Sequence, residues 1–503
     1  MSGTLNLAGA PVVVVGAGIM GAGIAQVAAQ AGHRVFLHDA RAGAAASAHA
    51  KLGETFTTLV AKGKLTADEA AATLARITPI NQLEEAASAR LAIEAIVEQV
   101  EPKRALFVQL QTLLGPDAVI ATNTSSISVT ALAQGLPAPE RLVGMHFFNP
   151  VALMKLVEVV SGLRTAPEVA QAVFERAAAW GKTPVHAAST PGFIVNRIAR
   201  PYYAETLALL LERAAPPEVL DACLRAAGFR MGPCELTDLI GHDTNFAVTR
   251  SVYEAFFYDA RFVPSPVQRD LVDGGLLGRK TGRGFYCYPE GAPALPPAPE
   301  AALVAGEVIV HGSGPIADAL AAAATAALAP QGWGPARDQT SDWIGLRIDG
   351  ARLQLTDGRP ARTVAQQLGT PDVAVFDRPF VLKDGSALAY AVAPGANPDW
   401  QLRAGAWLTR LGHHPLRMED APGLVAARTI AMLINEAADA VQQGVCDEAG
   451  ADAAMKLGVN YPAGPFEWLA GWSVAGVLAV LHELDACYGG ARYRASPWLQ
   501  RRA

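Results

Sequence analysis

Cysteine is scarce: Cys223, Cys234, Cys287, Cys446 and Cys487 are five in 503 residues, and no Cys-x-x-Cys occurs. Thiols this few and scattered exclude a disulfide framework or a zinc ribbon and point to a reduced, cytoplasmic protein. Long apolar runs are also missing. The longest, Val12 to Ala25, carries four glycines and stops at Gln26, short of the roughly 18 residues a membrane span needs. Met1 to Pro11 lacks the basic-then-apolar order of a signal peptide. No charge of one sign accumulates, because 41 Lys+Arg stand against 47 Asp+Glu for a net charge of -6. Nucleic acid and membrane partners are therefore not expected. What the chain does have is length, about three domains at roughly 150 residues each, and apolar residues, 51% of the total, enough to bury large cores.

Up to residue 187, short β-branched runs alternate with Ala-rich helical stretches, the pattern of a parallel sheet with crossover helices. The predicted strands are Val12–Val15, Arg34–Leu37, Leu91–Ala95, Ala118–Ala121, Leu142–Met145, Leu156–Val160 and Pro184–Ala187. From Pro191 the spacing of Ile194, Ile198, Tyr202 and Leu207 becomes helical, with a kink expected at Pro201. Gly291 to Pro299 reads as a linker. An internal repeat organises the remainder. Thr190-Pro191-Gly192-Phe193-Ile194-Val195-Asn196-Arg197 returns as Ala421-Pro422-Gly423-Leu424-Val425-Ala426-Ala427-Arg428 at an offset of 231, which also pairs Glu205 with Glu436 and Asp221 with Asp452. The stretch before this second copy is too short for a complete α/β domain, and a cut-down fold that has lost strands is expected. Its Gly312-x-Gly314-x-x-Ala317 has no clear following strand that ends in an acid, so no cofactor is expected there. His413-His414 reads as a loop rather than a metal site, and Trp468 and Trp472 as core.

Gly16-Ala17-Gly18-Ile19-Met20-Gly21 follows a strand and opens a helix. Its glycines allow the tight turn and close approach by which a helix N-terminus holds a pyrophosphate. Asp39 ends the next strand, where a carboxylate accepts from an adenosine ribose and repels a 2′-phosphate, favouring NAD over NADP. Ligands of an open parallel sheet gather at the carboxyl ends of its strands. Asp39, Glu98, Asn123 to Ser126 and His146 all lie there. His146 among aromatics is also what a satisfied core histidine looks like. Glu158, in an apolar run, needs a partner if buried, and an imidazole is the obvious one.

The glycine turn, Asn123-Thr124-Ser125-Ser126, His146-Phe147-Phe148-Asn149-Pro150, Leu156-Val157-Glu158-Val159-Val160, Pro191–Arg197 and Gly278–Tyr286 together resemble, in this order, the L-3-hydroxyacyl-CoA dehydrogenase family. The duplicated helical part resembles its bacterial branch that acts on 3-hydroxyadipyl-CoA in phenylacetate catabolism. The resemblance implies a Rossmann-type α/β NAD-binding domain (1–187), an all-α domain (188–288), a linker (289–304), a reduced Rossmann-like domain (305–414) and a second, degenerate all-α domain (415–503). It implies His146 as catalytic base with Glu158 as its partner, and Ser125 and Asn196 on the substrate oxygen. Contacts to NAD would come from Gly16, Gly18, Ile19, Met20, Gly21, Asp39, Glu98, Lys103, Ser125, Asn149 and Lys280, and contacts to the CoA arm from Thr55 and Lys62. No metal is implied. The activity implied is NAD-dependent oxidation of a 3-hydroxyacyl-CoA. The alternatives are a 3-hydroxybutyryl-CoA or general β-oxidation enzyme, an enzyme for free 3-hydroxy acids, and a non-catalytic NAD-binding protein. A dicarboxylic acyl chain would need a cation at its far end, for which Arg197, Arg200 and Arg230 are candidates. The two helical copies are expected to pack as a pseudo-dimer within one chain, with one active site and further oligomerisation optional.

Overall fold

The computed structural model describes residues 5–300 and 306–503, so part of the expected linker lies outside the described residues. The chain forms two compact units, residues 1–197 with 440–459 and residues 198–439 with 460–503.

The first unit is built on an eight-stranded sheet. Its strands are β1 (Val12–Val15), β2 (Val35–His38), β3 (Ile77–Ile80), β4 (Leu91–Glu94), β5 (Val119–Thr122), β6 (Leu142–Phe147), β7 (Leu156–Ser161) and β8 (Thr183–Ala188), in the order β3-β2-β1-β4-β5-β6-β7-β8. β1 is four valines, all buried, as a central strand covered on both faces requires. Neighbours pair in parallel except β6 and β7, whose antiparallel register sets His146 opposite Glu158. The sequence reading misses β3. Ile77-Thr78-Pro79-Ile80 carries a proline, which only an edge strand tolerates, and β3 is at the edge. Helix Glu448–Gly458, from the second helical copy, packs on β7 and β8 of this sheet.

The second unit carries a seven-stranded sheet. It contains β9 (Val308–His311), β10 (Ala336–Asp338), β11 (Gly345–Ile348), β12 (Ala351–Leu355), β13 (Val373–Phe376), β14 (Ser386–Val392) and β15 (His413–Arg417), in the order β10-β9-β11-β12-β13-β14-β15. The expected reduction is found, seven strands standing where the first sheet has eight, and two other expectations are corrected. The reduction removes helices more than strands. The helical excursion before β3 has no counterpart, and the crossover between β4 and β5 gives way to the antiparallel hairpin β11–β12. A strand ending in an acid does follow the second glycine turn, because β10 pairs in parallel with β9 and closes on Asp338. Ala-Arg-Asp has no β-branched residue, which is why the sequence hides it. His413-His414 opens strand β15, with His414 Nε2 2.9 Å from the Pro296 carbonyl oxygen.

Backbone conformation records the duplication. Left-handed φ recurs at Phe193 (48°) and Leu424 (51°), at Arg213 (56°) and Gly444 (69°), and, after a one-residue slip, at Gly241 (98°) and Ser473 (109°). Phe193, Leu424, Arg213 and Ser473 carry side chains that avoid such angles unless the surroundings impose them, so the repeated angles mark a repeated fold. In the second unit the copies meet directly. Buried Arg428 donates to buried Glu205 at 2.7 Å, and Tyr202, Phe229, Tyr461 and Trp468 form one ring cluster. Burial alone would raise the Glu205 carboxyl, but the guanidinium groups of Arg492 and Arg428 hold it below the usual range. Trp468 is in this core, while Trp472 is half-buried against Phe380 and Arg378. Among the described residues no single helix is long and apolar enough to cross a membrane.

Candidate functional site

The site is built at the carboxyl ends of the first sheet. Gly16 has φ +106°, and a Cβ there would lie 2.3 Å from the Ala95 carbonyl oxygen. A Cβ on Gly21 would lie 1.7 Å from that of Gly16. These two glycines close the turn. Gly18 differs, since a Cβ on it meets nothing within 4 Å. It begins helix Ile19–Gln30 without a side-chain cap, so the turn presents open space and uncapped backbone N–H groups, the surface a pyrophosphate requires. Ile19 is exposed and Met20 half-buried beside it.

Asp39 accepts from the Ala17 N–H at 2.8 Å and from Arg41 Nε at 3.1 Å. Burial would raise its carboxyl, but Arg41 and the Ala17 N–H outweigh that and hold it down at about 2. An ionised carboxylate against the glycine turn is chemically suited to accept from a ribose diol. In the second sheet, Asp338 instead accepts from the hydroxyls of Thr340 and Ser341, and Arg337 lies over the turn, donating to the Gly312 carbonyl oxygen at 3.3 Å.

Glu98 has more partners than its sequence context suggests. It accepts from Thr124 Oγ1 at 2.6 Å and from the Ser125 N–H at 3.0 Å, and pairs with Lys103 Nζ at 3.1 Å. Burial raises it, while Lys103, Thr124 and Ser125 bring its carboxyl below the ordinary value. Glu98 thereby shapes the loop that exposes Ser125. Lys103 is itself buried and also bonds buried Glu94 at 2.5 Å, which in turn receives Thr122 Oγ1 at 2.7 Å. Glu94 and Thr122 were not anticipated. A carboxylate ending the apolar strand Leu91–Glu94 was the available signal. Asn123 Oδ1 accepts from the Phe147 N–H at 2.8 Å and ties the serine loop to the histidine strand.

His146 Nδ1 and Glu158 Oε2 are 2.6 Å apart, with His146 only 6% exposed and Glu158 fully buried. The other carboxylate oxygen, Oε1, accepts from the N–H groups of Ile194 and Val195, each at 3.0 Å. One side chain thus orients the imidazole and fastens the start of helix Val195–Ile198, which carries Asn196. The Asn196 amide reaches the Ser125 carbonyl oxygen at 3.5 Å. His146, Glu158, Ser125 and Asn196 are therefore gathered in one unit. Phe148 and Phe193 flank the imidazole at ring distances of 4.5 and 5.8 Å. In the second half, Asp377 takes over the fastening role and accepts from the N–H groups of Val425, Ala426 and Ala427. Burial pushes its carboxyl up to about 6, against the pull of those N–H groups.

A cleft of about 1540 Å³ is lined by Gly18, Arg41, Lys51, Thr55 and the loop Asn149–Leu153. Thr55 and Asn149 line it. Lys62 is exposed and does not, while Arg41 and Lys51 do and were missed as cleft residues. Lys182 underpins the loop, its buried ammonium bonding the Val151 carbonyl and, at 2.9 Å, that of Met154, and burial brings it down to about 8. Lys280 belongs to the second unit, where it pairs with Asp243 at 2.5 Å. Of the three candidate arginines, Arg230 is exposed, Arg197 and Arg200 are buried, and Arg200 lines an apolar cavity of about 110 Å³ in the second unit with Tyr203, Leu207, Phe262 and Arg492.

Comparison with known proteins gives three family matches along the chain. They are 3-hydroxyacyl-CoA dehydrogenase, NAD binding domain, over residues 11–190; its C-terminal domain over 192–288 and again over 423–503; and 3-hydroxybutyryl-CoA dehydrogenase reduced Rossmann-fold domain over 353–422. The chain is 44% identical over 494 residues to a 3-hydroxyadipyl-CoA dehydrogenase of Escherichia coli, covering 98% of this chain and 97% of that one. It is 41% identical over 284 residues to a 3-hydroxybutyryl-CoA dehydrogenase of Bradyrhizobium diazoefficiens, covering 56% of this chain and 96% of that one. A crystal structure from Escherichia coli, described as a 3-hydroxybutyryl-CoA dehydrogenase, matches with TM-score 0.88 and 43% identity over 98% of both chains.

Proposed function

Because the chain belongs to the 3-hydroxyacyl-CoA dehydrogenase family and is an NAD-dependent enzyme of that kind, we propose that His146 is its acid–base residue, Glu158 its partner, and 3-hydroxyadipyl-CoA its substrate. The observation that carries the chemical part is the buried 2.6 Å contact between His146 Nδ1 and Glu158. A carboxylate held there by two backbone N–H groups keeps a proton on Nδ1 and leaves Nε2 to take the proton of the 3-hydroxyl. Bound NAD supplies the acceptor for the C3 hydride. As the C3 oxygen becomes a ketone, the imidazole gains positive charge and Glu158 stabilises it. The amide of Asn196 and the hydroxyl of Ser125 hold the substrate oxygen. The flanking rings of Phe148 and Phe193 keep water away. Thr55, Lys51 and Arg41 line the cleft that suits the CoA arm, its phosphates meeting the two cations.

Asp39→Ser should lower kcat/KM for NADH by roughly tenfold or more, since a hydrogen bond to a charged group contributes about 1.5–3 kcal/mol, and should relatively improve NADPH. Wild-type preference for NADPH in the same assay would remove Asp39 from the ribose.

The substrate reading rests on the full-length relative that bears that name. Steady-state comparison should give 3-hydroxyadipyl-CoA a kcat/KM at least about tenfold above 3-hydroxybutyryl-CoA, the scale set by one recognised polar group. Equal values would sink the dicarboxylate reading and leave the dehydrogenase untouched.

A further inference from the structure

The helical copies do not simply lie beside each other. Helix Pro217–Ala226 of the first copy packs on β14 of the second sheet, while Glu448–Gly458, its counterpart in the second copy, packs on β7 and β8 of the first. Each half gives this helix to the sheet of the other. The consequence for the catalytic half is local and concrete. The Ala188 N–H at the end of β8 donates to the Val445 carbonyl oxygen at 2.8 Å, and a Cβ on Gly450 would come within 2.9 Å of Val185 Cγ1. Burial, with the charges of Asp447 and Glu158 adding to it, pushes the Cys446 thiol up to about 12, so Glu158 is close enough to be felt there.

At the far end of the helix stands Gly458. A Cβ on it would lie 2.7 Å from Leu156 Cδ2, 3.0 Å from Val195 Cγ2 and 3.7 Å from Phe148 Cε1. Two of these neighbours touch the proposed acid–base pair, and the third shares a strand with Glu158. The Phe148 ring leans on the imidazole at 4.5 Å, Val195 donates its N–H to Glu158, and Leu156 is two residues from Glu158 on β7. Gly458 is not among the positive-φ glycines, so space rather than backbone conformation calls for a glycine. The repeat supplies a comparison: 231 positions earlier stands Ala227, which lines the corresponding place beside Asp377 in the non-catalytic half. The larger residue faces the half in which Asp377, with no His146–Glu158 pair, fastens the helix start.

We propose that Gly458 is a positioning residue for the dehydrogenase reaction: the second helical copy forms the rear wall of the active site, and the absence of a side chain at 458 sets where Phe148, Val195 and through them His146 and Glu158 sit. This rests on His146 and Glu158 as the acid–base pair, which a His146→Gln variant tests separately.

The experiment compares steady-state reduction of acetoacetyl-CoA by NADH in full-length variants. Gly458→Leu should lower kcat on the order of 10²-fold, the cost of a misplacement of about 1 Å, with both KM values within about threefold of wild type. Adding Leu156→Ala, which opens the crowded side, should restore at least about tenfold of that loss, a recovery that a general loss of stability would not show. Gly471→Leu, where a Cβ meets nothing within 4 Å, should leave kcat unchanged. Should Gly458→Leu fail to fold, Gly458→Ala serves instead, with a several-fold lower kcat expected at unchanged KM. Unchanged kcat in both Gly458 variants would overturn the proposal, as would a loss that Leu156→Ala leaves wholly unrelieved.

Discussion

His146→Gln should retain NADH binding within about twofold while kcat falls by roughly 10²–10⁴-fold, the usual worth of a positioned acid or base. Binding should persist because the glycine turn, Asp39 and the loop held by Glu98 are separate from the imidazole. Gln fills a similar volume and keeps a hydrogen-bonding group near Glu158, so the fold should survive and the loss should be chemical. Glu158→Gln makes a harder demand. It removes the charge that stabilises the imidazolium formed in the reaction, so kcat should fall as well. Its amide also has one oxygen where the carboxylate has two, so it can receive the Ile194 and Val195 N–H groups or the imidazole N–H but not both, and loss of one such buried acceptor costs about 1–3 kcal/mol. A lowered melting temperature is therefore expected for Glu158→Gln and not for His146→Gln. Fluorescence titration with NADH, steady-state rates and thermal melts separate the two. Near-wild-type turnover in His146→Gln would remove it from the reaction.

The legible parts of this molecule are those whose information is local. Central strands such as Val12–Val15 announce themselves by β-branched runs, and the glycine turn by spacing. The His146–Glu158 pairing follows from two such strands meeting antiparallel, and the single apolar strand around Glu158 already implied a partner. What stayed hidden depends on longer range or on compromise. Edge strand β3 contains a proline, and β10 is three residues without a β-branched side chain. Glu98 looked like a cofactor ligand and is also the acceptor that shapes the Ser125 loop. Lys62 lies past the end of helix Ala44–Ala61, a full two turns beyond Thr55, and a shift in that loose assignment separates a cleft residue from an exposed one. The destination of Glu448–Gly458 was invisible for a further reason. Helical periodicity gives a helix its apolar face without saying which sheet covers it.

That exchange shapes the expected behaviour of a chain cut near Pro293. The fragment keeps His146, Glu158, Ser125 and Asn196 but loses the segment 440–459 that belongs to the same compact unit. Its own helix Pro217–Ala226 loses β14. An apolar helix face and an apolar sheet face are then both uncovered in one molecule, and two fragments can cover each other, the helix of one on β7 and β8 of the other. The Bradyrhizobium diazoefficiens relative, matched over 56% of this chain and 96% of its own length, is of about this size. The fragment should therefore be a dimer at micromolar concentration by sedimentation and lose activity per site on dilution, by at least about tenfold once the dimer dissociates, because dissociation follows mass action. The full-length chain should show no such dependence, its second helix being tethered. Ala227, placed by the repeat where Gly458 stands, would be the residue brought to the dyad of the partner fragment. Ala227→Gly in the fragment should then raise its kcat in the dimeric range, while the same change in the full chain should not. A truncated monomer with concentration-independent, wild-type turnover would show that the catalytic half needs no second helix.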